Sequence, residues 1–186
     1  MGCWGITAFE SDAGLDSVDY IRSNLPKGGK LDLGEIIDAL QKDQIRLPDV
    51  EFAENHTSPM ALAEIVVKFL DGDMDGLDYD EDWAKEQNKF RDITSFTATK
   101  ESVEWIRDYL TDTLQNKRNQ AAFRAKHGQN WCGWFEEKNW IGWQEHMESL
   151  IGRLDTLLAS PEDYIELIPP QGQENGPVMR QKRGQL

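Results

Sequence analysis

Apolar residues recur along this chain at spacings of three and four, the period of one helix face, in five separate stretches. Asp12 to Leu25 places Leu15, Val18, Ile21 and Leu25 on one side, with Ser11 positioned to cap the helix and Pro26 with Gly28-Gly29 to end it. Asp32 caps a second stretch bearing Ile36, Ile37 and Leu40, and Glu35 stands three residues on, as in a capping box. Ser58-Pro59 opens a third, whose apolar face is Leu62, Ile65, Val66 and Phe69; proline at the first helical position gives up only an N–H that had no partner. A fourth runs from about Lys100 to Asn119 on Val103, Ile106, Leu110 and Leu114. The fifth begins near Asn139 and carries Trp140, Trp143, Met147, Leu150, Ile151, Leu154 and Leu158. Strand patterning is thin, because Tyr164 to Ile168 alternates poorly and Pro48 interrupts Gln44 to Phe52. The predicted fold is all-α, or α with a minor β element. It comprises one compact domain over residues 1–168 with Trp105, Trp140 and Trp143 largely buried. Residues 169–186, rich in Pro, Gly and Gln, read as a mobile tail.

Composition supports folding: 39% hydrophobic and 10% aromatic residues in a chain of 186 can build a core, which disordered chains cannot. Charge narrows the function. With 34 acidic and 20 basic residues the net charge is −14, and residues 1–100 alone hold 21 acidic against 10 basic groups. Direct nucleic-acid binding is disfavoured, since affinity for phosphates rests on Lys and Arg. No apolar run approaches a membrane span and the first residues lack a basic, then apolar, leader pattern, so a cytoplasmic location without membrane contact is expected. Two cysteines, Cys3 and Cys132, are too few for a disulfide scaffold and are read as free thiols.

The densest chemical signal is Asp71-Gly72-Asp73-Met74-Asp75-Gly76-Leu77-Asp78-Tyr79-Asp80-Glu81-Asp82. Acids at positions 1, 3, 5 and 12 with Gly at 6 have the spacing of an EF-hand-like calcium loop, and the third helix runs straight into position 1. Asp71, Asp73, Asp75 and Asp82, with the carbonyl of Leu77, are the expected metal ligands. Asp82 is shorter than the usual Glu, Asp78 stands where paired loops carry an aliphatic residue, and no second loop of this kind follows. The other reading is a solvated run in which Asp73, Asp75, Asp78, Asp80 and Glu81 face a basic partner.

Other chemistry is sparse. His56, His127 and His146 are scattered without ligand spacing, and no local signature makes Cys132 a nucleophile with His127 or His146 as its base. Phosphate-loop, dinucleotide and nucleophile-elbow motifs are absent. The tryptophans at 131, 134, 140 and 143 read as helix packing, as an interface anchor, or as a stacking platform beside Lys117, Arg118, Arg124 and Lys126.

The first sixteen residues, Met1-Gly2-Cys3-Trp4-Gly5 through Phe9-Glu10-Ser11-Asp12 to Asp16, resemble the opening of a bacterial family known as domain of unknown function 4259. Trp4, Gly5, Phe9, Glu10, Asp12 and Asp16 match its pattern, while Gly14 stands where the family usually has Ala. The resemblance extends to about Leu70 and implies no reaction. In physical terms Gly2 and Gly5 allow a tight turn, Trp4 and Phe9 are expected to lock the N-terminus on the core, and Asp12 and Asp16 favour the start of the first helix; Glu10 and Asp12 are alternatively part of a site.

Three functions fit these features. The first is a non-enzymatic acidic protein that binds and inhibits a partner with a basic groove, such as an immunity protein for a toxin or a phage or mobile-element inhibitor of a nuclease that mimics DNA. A calcium-binding EF-hand-like module is the second. A magnesium-dependent phosphodiester enzyme, which needs further ligands converging from elsewhere, is the third.

Overall fold

The computed structural model of the protein describes residues 2–43, 47, 50, 58–79, 89–131 and 136–167. Five α-helices carry it: α1 (Asp12–Ser23), α2 (Leu33–Gln41), α3 (Ser58–Asp71), α4 (Lys100–Lys126) and α5 (Trp140–Leu158). The starts of α1 and α2 follow the caps read from the chain. The Ser11 hydroxyl accepts the Gly14 N–H at 3.0 Å, and the Asp32 carboxylate accepts those of Gly34 and Glu35, each satisfying donors that a first turn leaves open. α4 runs past the expected Asn119 because Ala121, Ala122, Arg124, Ala125 and Lys126 favour a helix without needing an apolar face.

Helices cover one face of a small sheet. β1 (Lys30–Asp32) pairs parallel with β2 (Ser95–Thr99), and β3 (Tyr164–Glu166) pairs antiparallel with β2 on the other side. The minor β element is thus real, and the thin candidate at Tyr164 supplies one of its strands. Phe96 and Ala98 of β2 point into the core, with Leu31 and Ile165 beside them. Phe69 of α3 meets Phe96 edge-on at 5.0 Å, tying sheet to helix. Because β1 leads into α2 and β2 into α4, the sheet sets both helices side by side over one core.

Tryptophan burial is uneven. Trp143 is fully buried, while Trp105 and Trp140 are half-buried against the cluster's edge. Trp4, expected to lock the N-terminus, is 58% exposed. The N-terminal segment runs antiparallel to Ser11 through a bridge at Cys3, and side chains alternate across an extended segment, so Cys3 turns inward and Trp4 outward. Phe9 does pack on the core. Gly14 makes room for this turn: a Cβ there would stand 1.8 Å from the Ala8 carbonyl oxygen. Gln44 to Phe52 falls almost wholly outside the described residues, as do the tail, Cys132 and His56. No helix among the described residues is long and apolar enough to cross a membrane.

Candidate functional site

The turn from Gly5 to Glu10 is organised by one carboxylate. Glu10 curls back so that its Oε2 accepts the N–H of Ile6 at 2.9 Å, the N–H of Thr7 at 3.1 Å and the Thr7 hydroxyl at 3.2 Å. Burial on its own would raise the Glu10 pKa, but the Thr7 and Ile6 donors and the nearby His146 outweigh it and hold the carboxyl below its ordinary value. Gly5 is required by this arrangement, because a Cβ there would lie 2.1 Å from Glu10 Oε2. Gly5→Ala should therefore expel the carboxylate and cost about 2 kcal/mol near neutral pH. Since a depressed folded-state pKa stabilises above the unfolded value and that gain fades as pH falls through the folded one, the gap between Gly5→Ala and the unaltered protein should narrow on acidification below the ordinary glutamate range. Thermal melts from neutral pH to below that range measure it.

The next residue reaches across the fold. Ala8 N–H donates to Glu64 Oε1 of α3 at 2.8 Å, and the same oxygen meets His146 Nε2 of α5 at 2.6 Å. Glu64 is only 5% exposed, an acid within a helix whose neighbours from Ser58 to Val66 are all buried. A carboxylate there costs free energy unless paired, and the peptide N–H and imidazole supply that pairing. Neither partner was singled out from sequence as a pair. The available signal was Glu64 itself, one acid in the apolar run Met60 to Phe69.

Glu10, Glu64 and His146 line one open groove of about 420 Å³, within the range of small-ligand pockets. Phe9, Val67 and Leu150 give it apolar walls, and Lys68, Asp71 and Asp73 form its rim. The acidic loop is therefore one edge of the groove.

Within that loop the carboxylates are engaged by the protein. Asp71 forms a two-pronged pair with Arg153 of α5, at 2.5 and 3.3 Å. Asp73 takes the Lys68 ammonium at 2.8 Å and the Asp75 N–H at 3.0 Å, which together hold its carboxyl below the usual value. The Asp75 carbonyl also accepts from Lys68. Asp78, expected to face a partner, turns inward instead: its side chain is 8% exposed, and its two oxygens accept the N–H groups of Phe90 and Arg91, capping the short turn there. Leu77 buries its side chain fully in the core. A calcium or magnesium ion at this loop would have to displace Arg153 and Lys68, and no group of three or more His, Cys, Asp or Glu among the described residues is placed to hold a metal ion. Asp80, Glu81 and Asp82 lie outside those residues. Cys3 donates its thiol to the Gly5 carbonyl, and burial, with Glu10 and Glu136 nearby, raises its pKa and makes it a poor nucleophile.

A model of the family described as Domain of unknown function (DUF4259) matches residues 2–146. That span includes Glu10, Glu64 and His146 and reaches well past Leu70. No curated protein and no solved structure matches the chain.

Proposed function

The chain belongs to the DUF4259 family, and for this member we propose a non-enzymatic role: an acidic protein that occupies the basic surface of a protein partner, as an immunity protein or a DNA-mimicking nuclease inhibitor does. The observation that carries the proposal is a row of exposed carboxylates, Glu101, Glu104, Asp108 and Asp112, spaced three or four residues apart down one side of α4. Neighbours at that spacing lie about 5–6 Å apart, so the row presents closely spaced negative charge on a rigid helix. Arg107 bridges Glu104, Asp108 and Asp155 of α5, yet one guanidinium among three carboxylates leaves the patch net negative. A field of this kind steers a cationic groove into contact and loses reach as salt rises.

The test begins with capture of the partner from the native host and its identification. Glu104→Lys combined with Asp112→Lys should then slow association roughly tenfold or more at low salt, with a smaller effect at high salt. If the reversals leave association unchanged, or the captured protein lacks a basic surface, the acidic-face reading is wrong. A catalytic effect abolished by His146→Ala but untouched by the reversals would point to an enzyme instead.

A further inference from the structure

The groove between the N-terminal turn, α3 and α5 is short of hydrogen-bond donors. Glu64 places both of its contacts on Oε1, and its Oε2 accepts none among the described residues. Glu10 likewise crowds three donors onto Oε2 and leaves Oε1 without one among those residues. His146 has its Nε2 on Glu64 at 2.6 Å, on the same oxygen that takes the Ala8 N–H. The lining donors are directed elsewhere, the Thr7 hydroxyl to Glu10 and Lys68 to Asp73 and the Asp75 carbonyl. The N-terminal turn, α3 and α5 bring Glu10, Glu64 and His146 to the lining of this one groove.

We infer that this groove binds a cationic group on an apolar stem: an alkylammonium or guanidinium, whose N–H donors meet the spare oxygens of Glu10 and Glu64. An ammonium offers three donors and no acceptor, the complement of what the groove displays. Phe9, Val67 and Leu150 supply the surface for the stem. The chain itself already seats such a group at the rim, where the Lys68 ammonium lies 5.7 Å from the centre of the Phe9 ring and on the Asp73 carboxylate. The ligand is therefore either a free amine or a Lys or Arg side chain presented by a protein.

Titration of the full chain, followed by nuclear magnetic resonance of the His146 ring protons at constant ionic strength, tests this. The probes are n-butylammonium, Nα-acetyl-lysine N-methylamide and Nα-acetyl-arginine N-methylamide, with 1-butanol and the Nε-acetylated lysine amide as neutral counterparts. The cations should give saturating shifts and the neutral compounds none. Glu10→Gln should weaken the cations at least fivefold while leaving the melting profile of the rest of the chain cooperative, and Lys68→Met, which removes a competing charge at the rim, should tighten them. A lysine or arginine amide that binds tenfold tighter than n-butylammonium identifies a protein side chain as the source, and equal binding identifies a free amine. No saturating shift with any cation overturns the inference. So do equal shifts with 1-butanol, which would make the groove a merely apolar cleft, and cation binding unchanged in both Glu10→Gln and Lys68→Met. None of these probes depends on the α4 carboxylates, so Glu104→Lys with Asp112→Lys should leave the shifts intact, and the two proposals stand or fall separately.

Discussion

Trp143→Ala is expected to destabilise the protein by about 4 kcal/mol, the largest single effect among the tryptophans in the described residues. The side chain has no exposed surface, packs in the layer that α5 shares with α3 and α4, and stacks on Trp140 with ring centres 5.5 Å apart. Removing it leaves a cavity that the surrounding helices cannot fill without moving their own axes. Trp140→Ala should cost clearly less, because Trp140 is half-buried and its loss opens onto solvent rather than creating a void. Trp4→Ala, on a 58% exposed side chain, should fall within about 0.5 kcal/mol of the unaltered protein. Urea unfolding of the three variants ranks them. Equal costs for Trp4 and Trp143 would mean that the N-terminal turn does not lie along the surface as described.

Glu64→Leu comes next, at about 3 kcal/mol. The substitution removes the acceptor of the Ala8 N–H and of His146 together, leaving a buried peptide donor and an imidazole without partners. Glu64→Gln retains a carbonyl oxygen for the Ala8 N–H and should cost about 1 kcal/mol. The pairing itself is isolated by a double-mutant cycle with His146→Leu. Once both polar partners are gone the penalty on the imidazole disappears, so the double variant should be less unstable than the sum of the singles by about 1 kcal/mol or more. Strict additivity would show that Glu64 and His146 are not coupled.

How much of this was legible in the chain depends on how local each feature is. The helix caps at Ser11 and Asp32 were readable because a cap is a contact within three residues. The strands β1 and β2 were not: three and five residues give too few alternations, and each is stabilised mainly by its neighbour in the sheet rather than by itself. Trp4 illustrates a different gap, since hydrophobicity alone marks a residue as suited to the core without saying which way an extended segment turns it. In the acidic loop, spacing alone suggested an ion site, whereas Arg153, 82 residues beyond Asp71, and the turn at Phe90 engage two of its carboxylates.

By itself, then, the sequence determined the five helices, their apolar faces, the excess of negative charge and, through the N-terminal residues, the family. These are properties of composition or of windows a few turns long, in which each residue's partner is a near neighbour. Tertiary structure alone decided the groove. Glu64 and His146 stand 82 residues apart and meet only because α3 and α5 pack together, while Gly5 and Gly14 let the N-terminal turn come close enough for Ala8 to complete the contact. No local pattern encodes that meeting, because it depends on the relative placement of helices, which the summed packing of the whole core sets.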